Sequence, residues 1–242
     1  MLPCFPILLD LENPRMPGPM KKRRLAIVSL ATALLLGCAT AQTPEERLEA
    51  AYTRSIPAAA VKTPDSVRTL TPIDMTKNEI TVAHLQPYPT IDSTRYIWIS
   101  LPEELRTFCK DKQDKVLALE MALGLPPDPT DDKLFLFKIS PADLFRPCAS
   151  GPETTTTSCS LELPKDPTAD SKSEHFVLNQ MVTSYQVDFP SPGYPFTGLG
   201  WSYDWDPDST THQGVSEYVT KPGSAIADVT SETPAAFCEG RP

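Results

Sequence analysis

The spacing of the cysteines constrains the fold of this chain more than any other feature of its sequence. Four of the six cysteines follow residue 100, and they are Cys109, Cys148, Cys159 and Cys238. An even number of cysteines in an exported chain indicates disulfide bonds, and four cysteines allow three pairings. Cys148 and Cys159 enclose a short loop rich in Thr, Gly and Pro, which closes at a low entropic cost. We therefore predict the pairs Cys148–Cys159 and Cys109–Cys238. No two of these cysteines have the short spacing of zinc ribbons, so a zinc site is disfavoured.

An export signal is predicted ahead of these cysteines. Four basic residues, Lys21 to Arg24, are followed by 13 apolar or small residues, Leu25 to Gly37. This run is too short for a membrane-spanning helix, which needs about 20 residues. A basic start, a short apolar core and small residues at its end are typical of a signal peptide, which we place at residues 1–37. A start at Met20 would give this signal a more ordinary length, with residues 1–19 lying upstream.

The end of the signal allows two cleavage predictions. The segment "LLGC", Leu35 to Cys38, resembles the bacterial lipobox, which predicts lipidation of Cys38 and attachment to a membrane through that lipid. Ala39 after the cysteine favours the outer membrane under the sorting rule of that class. The alternative is cleavage after "ATA", before Gln42, which would release a soluble periplasmic protein. Both alternatives predict a location in the cell envelope.

The charge of the chain excludes one class of partner. The net charge is −9, and residues 1–37 hold five basic and two acidic residues. The remaining chain therefore carries 17 basic and 29 acidic residues, a net charge of −12. Such a chain does not attract nucleic acid through its general field, so we predict no nucleic-acid partner.

The sequence predicts a lipidated N-terminal helix and flexible tether at 38–92, followed by a globular domain at 93–242. Thr43 and Glu46 form a capping-box pattern at the start of the helix, and the segment after it is rich in Pro and Thr. In the domain, helices and strands alternate before a strand-rich end, which predicts an α+β fold with a small mixed or antiparallel sheet and two or three helices. The predicted elements are a strand at 95–100, helices within 102–125 and 174–186, a strand at 133–139, and a terminal hairpin turning at 221–223.

Three aspartates give a weak indication of a metal site. Asp204, Asp206 and Asp208 have the alternate spacing with which calcium loops begin. The pattern then fails, because Ser209 and Val215 stand where such a loop needs Gly and Glu. We predict no metal ion, and calcium bound by these three aspartates is the alternative.

Glu217 is the strongest single candidate for a functional residue. It interrupts the apolar run "GVSEYV", in which neighbouring side chains point to opposite faces of a strand. A carboxylate on the inner face would be desolvated, and such groups concentrate at functional sites. On the outer face it would be an ordinary solvated residue.

Four segments together resemble a group of exported bacterial proteins: "LALEMALGLPPD", "ISPADLFRPC", "YPFTGLGWSYDW" and "GVSEYV". The proteins of that group share L-G-[YW]-[ST]-Y-D-W followed by G-x-S-E-[YF]-V. The resemblance covers Tyr96 to Cys238 and implies one domain without implying an activity. A second, weaker analogy is to ADP-ribosyltransferases, and it implies roles for Arg95, for Thr197 or Ser202, and for Glu217, with NAD as cofactor. The chain departs from that pattern at Val215, where the paired acid would stand.

The sequence therefore predicts an exported lipoprotein that binds an unknown envelope protein or a small ligand, or that has a structural role, with no cofactor. The alternative is an enzyme centred on Glu217. Burial distinguishes the two, because an enzyme needs this carboxylate to face a concave pocket.

Overall fold

The computed structural model describes residues 42–151, 153–162, 172–187 and 192–240. The predicted signal peptide and Cys38 lie outside the described residues. Among the helices that are described, none is long and apolar enough to cross a membrane. The chain from Gln42 onward forms one compact unit.

The first helix is part of this folded unit. Helix α1, Pro44–Ala60, begins at the capping box that Thr43 and Glu46 form, with the Thr43 hydroxyl accepting from the Glu46 amide and the Glu46 carboxylate from the Thr43 amide. Its buried Tyr52 and Ile56 pack against Trp205, and the Tyr52 and Trp205 rings meet edge to face at 5.7 Å. These contacts dock α1 onto the C-terminal half of the chain.

The sheet is antiparallel throughout and is built from distant parts of the sequence. Its strands lie in the order β4-β6-β2-β1-β3-β7, and β5 also pairs with β6. The strands are β1 Ile80–Gln86, β2 Trp98–Ser100, β3 Lys133–Ile139, β4 Leu144–Phe145, β5 Trp201–Tyr203, β6 Gln213–Thr220 and β7 Ile226–Glu232. Strand β1 pairs with β3 along its whole length, so the predicted strand at 133–139 is confirmed as a central one.

Four further helices complete the α+β fold, which is confirmed. They are α2 Pro102–Cys109, α3 Lys115–Leu123, α4 Lys172–Thr183 and α5 Pro234–Cys238. The break between α2 and α3 follows the sequence, because the Asp114 side chain accepts from the Leu117 amide and starts a new helix. One apolar cluster lies between the sheet and α2, α3 and α5, and a second covers the opposite sheet face around Ile99 and Tyr218.

Both predicted disulfide bonds are confirmed. Cys109 in α2 is bonded to Cys238 in α5, and Cys148 is bonded to Cys159. The first links two helices through cysteines that are 129 positions apart in the sequence. The second closes a loop whose carbonyls at Thr154 and Thr156 accept from the buried guanidinium of Arg146.

Two predictions need correction. Residues 43–92 do not form a tether, because α1 is docked and β1 lies near the centre of the sheet. Leu70 and Ile73, in the segment that connects α1 to β1, are also buried. A few well-spaced apolar residues anchor this Pro-rich segment. The predicted terminal hairpin is also wrong. Strand β6 is buried at most positions and has β2 and β4 as neighbours, so β7 pairs instead with the free edge of β3.

Candidate functional site

A cavity of about 670 Å³ opens on the sheet face that carries Glu217. Its walls come from β1, β2 and β6, from the C-terminal end of α3, from α4, and from the segment 194–196. The lining is mostly apolar and aromatic, with a few polar side chains. The polar and charged members are His84, Thr94, Arg95, Ser100, Gln180, Ser184 and Glu217.

The cavity lies where two neighbouring strands separate. Strands β1 and β2 are paired at a single position, Ala83 opposite Ser100. Beyond that pair, the Trp98 carbonyl is contacted by the side chain of His84 and not by the backbone of β1. Nδ1 of the imidazole lies 2.8 Å from the carbonyl oxygen. Its other nitrogen, Nε2, lies 3.0 Å from Oε1 of Gln86. Burial lowers the pKa of His84, and these two hydrogen bonds oppose that effect.

Strand register places Glu217 on the cavity wall. Ala83 pairs with Ser100, and Ser100 pairs with Glu217, so the three side chains lie side by side on one face of the sheet. The exposed part of the Glu217 side chain lines the cavity, while its Oε2 atom is buried without a hydrogen-bond partner. None of the ion pairs among the described residues involves Glu217.

The environment of Glu217 favours its neutral form. Burial alone raises the pKa of Glu217 from 4.5 to about 8, because a carboxylate loses its hydration in an apolar surrounding. No charged neighbour contributes to this shift. The side chain is therefore a protonated carboxylic acid at neutral pH and carries a charge only in mildly alkaline conditions.

Aromatic side chains form the wall of the cavity around the end of β2. The ring centroid of Trp98 lies 5.8 Å from that of Phe176 and 5.8 Å from that of Phe196. The ring centroids of Tyr96 and Phe176 lie 4.3 Å apart. Such contacts hold the rings in fixed orientations and present flat faces and edges to whatever fills the space.

The residues predicted from the sequence separate into two groups. Arg95 and Glu217 line the same cavity, with Arg95 exposed to solvent. Ser202 does not line it. The Ser202 hydroxyl lies 2.6 Å from the Ala122 carbonyl and accepts from the Val215 amide at 2.9 Å, so it holds α3 and β6 together. The role that the transferase analogy implies for Ser202 is therefore unsupported.

Two of the three aspartate carboxylates, those of Asp204 and Asp206, already have partners. The Asp204 carboxylate accepts from the Asp206 amide, and the Asp206 carboxylate accepts from the Asp208 amide. Asp206 also forms an ion pair with Lys112 at 2.8 Å. Over the described residues, no group of His, Cys, Asp and Glu has the arrangement of a metal site. Calcium binding stays a prediction.

Sequence reasoning missed Ser100, His84 and the aromatic wall. The strand pattern at 95–100 was evident, but it does not reveal that Ser100 lies opposite Glu217. A polar residue that ends an apolar strand, on the same alternation as Trp98, was the available signal for Ser100. Nothing local indicated that His84 would bond to Trp98.

Comparisons with models of protein families, with curated proteins and with solved structures find no match to this chain. The resemblance to exported bacterial proteins and the transferase analogy therefore stay predictions. Function must be inferred from the cavity.

Proposed function

We propose that this protein is an exported protein of the cell envelope that binds a small, largely apolar molecule in the Glu217 cavity. The volume of about 670 Å³ lies within the range of small-molecule sites, roughly 300–1,000 Å³. The lining has the usual composition of such a site, with aromatic and aliphatic walls and a small number of polar groups.

The unpaired carboxyl group of Glu217 carries this proposal. Leaving a buried polar group without a partner costs about 1–3 kcal/mol, and native proteins satisfy nearly all such groups. Glu217 has an oxygen in this state on the wall of a cavity large enough for a ligand. A ligand that donates a hydrogen bond would remove the cost once the carboxyl group turns to bring this sealed oxygen to the cavity, and this gives the cavity a reason to bind.

The proposed location rests on separate features. A basic and then apolar N-terminal segment favours export, and the sequence "LLGC" favours lipidation of Cys38. The two disulfide bonds agree with an oxidising compartment such as the periplasm.

Binding is tested with a neutral fluorescent probe, N-phenyl-1-naphthylamine, titrated into the mature protein. We expect saturable binding that Trp98→Ala weakens at least five-fold, because Trp98 lines the cavity. The matched control is Trp201→Ala, since Trp201 is a buried tryptophan that does not line it. Equal effects of the two substitutions, or no saturable binding to the wild type, would contradict the proposal.

Catalysis at the same site is the second candidate function. Ser100 and Glu217 are cross-strand partners on one cavity wall, so a hydroxyl and a carboxyl group with a pKa near neutrality lie side by side. Such a pair suits general-base activation of a nucleophile once Glu217 is ionised, so turnover should rise as the pH passes through about 8. The test is hydrolysis of p-nitrophenyl esters: turnover that both Ser100→Ala and Glu217→Gln abolish would favour an esterase-like enzyme over a binding protein.

A further inference from the structure

We propose that the ligand of the Glu217 cavity is an organic amine, an aromatic or apolar body that carries a protonated primary or secondary amino group bound against Glu217. This inference rests on the proposed binding function and names the chemical class of its ligand. It follows from the charge, the unpaired oxygen and the aromatic rings that the cavity brings together.

The cavity has an acidic group at its wall and no cation beside it. On β6 that group is Glu217, and on β1 the facing titratable residue is His84, whose two nitrogens already bond to Trp98 and Gln86. The segment before β2 contributes Arg95, which is exposed, and Tyr96. The C-terminal end of α3 and helix α4 contribute no charged side chain to the lining. In the segment 194–196, Tyr194 is the one lining residue with a titratable side chain. A cationic ligand group therefore meets no competing protein cation at Glu217.

The aromatic wall favours the same charge. Positively charged groups are attracted to the faces of aromatic rings, most strongly where the contact is desolvated. Trp98, Phe176 and Phe196 form one connected set of rings on the cavity wall. An anionic ligand would gain nothing from these ring faces and could accept a hydrogen bond from Glu217 only while that group is protonated.

Hydrogen bonding narrows the class of cation. The Oε2 atom of Glu217 lacks a donor and is sealed from solvent, so the carboxyl group must turn before an ammonium N–H in the cavity can reach this oxygen. A quaternary ammonium has the same charge but no N–H bond, so it leaves this oxygen unsatisfied. The geometry therefore favours primary and secondary amines.

Binding of an amine to Glu217 must release a proton near neutral pH. With a pKa of about 8, Glu217 is mostly protonated at pH 7. The ammonium ion pairs with the carboxylate, so the carboxylic acid gives its proton to the solvent as the complex forms. No bond of the ligand is broken, and the complex is a neutral ion pair.

The experiment compares three ligands of one size: 2-naphthylmethylamine, 2-naphthylmethanol and 2-naphthoate. Isothermal titration calorimetry at pH 7, in two buffers of different ionisation enthalpy, gives the affinities and the number of protons released. We expect the amine to bind at least ten-fold more tightly than the alcohol, with the carboxylate weakest. We expect release of about one proton per amine bound, as follows from the pKa of about 8.

The substitution Glu217→Gln should reduce amine affinity to that of the alcohol and abolish proton release, while alcohol binding changes less than three-fold. The control Glu120→Gln changes a second buried carboxyl group that does not line the cavity, and it should leave amine binding unaltered. Trimethylation of the amine should reduce its affinity at least five-fold.

The outcomes separate this inference from the proposed function. If the alcohol binds as tightly as the amine, the cavity is a binding site but the amine class is wrong. Tightest binding of the carboxylate would also overturn the amine class and would point to Arg95. If none of the three ligands binds, the proposed function itself fails.

Discussion

The unpaired carboxyl group of Glu217 should make the stability of this protein fall as the pH rises, and Glu217→Gln should remove that fall. The pKa of Glu217 is about 8 in the folded protein and about 4.5 in an unfolded chain. Between these values the folded state binds more protons than the unfolded state, so the free energy of unfolding decreases with increasing pH. The stabilising contribution is complete below pH 4.5 and is lost as the pH passes through 8.

The magnitude follows from the size of the shift. A shift from 4.5 to about 8 is about 3.5 pH units, and each unit corresponds to about 1.4 kcal/mol. The ceiling is therefore about 5 kcal/mol lost between pH 4.5 and pH 9, a large part of the 5–15 kcal/mol that is typical of a folded domain. Glutamine is neutral at every pH. The free energy of unfolding of the variant, relative to that of the wild type, should therefore increase by several kcal/mol over this interval.

The assay is urea unfolding at pH 5, 6, 7, 8 and 9, followed by tryptophan fluorescence and by circular dichroism. Three further buried carboxyl groups give a background slope, since burial raises the pKa of Glu120 to about 8, that of Asp131 to about 6 and that of Asp204 above its ordinary value. The quantity of interest is therefore the difference between Glu217→Gln and wild type at each pH. The matched control is Glu45→Gln on the exposed face of α1. The free energy of unfolding of this variant should differ from that of the wild type by the same amount at all five pH values. A pH-independent difference for Glu217→Gln would refute the reasoning.

Three further predictions test other parts of the structure. Replacing the bonded pair Cys109 and Cys238 with serine should cost about 5 kcal/mol in urea unfolding, because this bond closes a loop of 129 residues; the bond that closes 11 residues should be worth only about 3 kcal/mol. Gly200→Ala should lower the melting temperature by more than 5 °C on a thermal scan, since Gly200 has a φ of +74° and a Cβ atom there would meet Arg146 at 2.7 Å. Cys38→Ser should abolish incorporation of labelled palmitate in cells, and persistent labelling of that variant would contradict the lipobox prediction.

The parts of the fold that local chemistry determines could be predicted from the sequence. The capping box at Thr43 and the break before α3 each depend on residues within a few positions of one another. The disulfide pairing followed from one short loop, because once Cys148 and Cys159 were joined the remaining two cysteines had a single partner each. Glu217 was recognised for the same kind of reason, as a carboxylate within an apolar strand.

The cavity could not be predicted because it depends on contacts between distant segments. Ser100 and Glu217 are brought together by strand register, and a shift of one residue would have turned Glu217 to the other face. The opening itself depends on His84 bonding to the Trp98 carbonyl where the β1 and β2 ladder stops. The docking of α1 likewise depends on Trp205, which lies far along the chain.

A purely structural account of Glu217 leaves its position unexplained. Two carboxyl groups in the helices each hold another segment in place: Glu120 accepts from the Asp128 amide at 2.8 Å, and one oxygen of Glu104 accepts from the Ser216 amide at 2.7 Å although its other oxygen is unpaired. Glu217 lies on a strand rather than in a helix, its pKa is strongly raised, and its carboxyl group holds no other segment in place. An apolar residue in its place would pack against the aromatic wall and would avoid the cost of an unpaired buried oxygen. The group therefore costs stability on the wall of a cavity that has room for a ligand, and this is the combination that a binding or catalytic site requires.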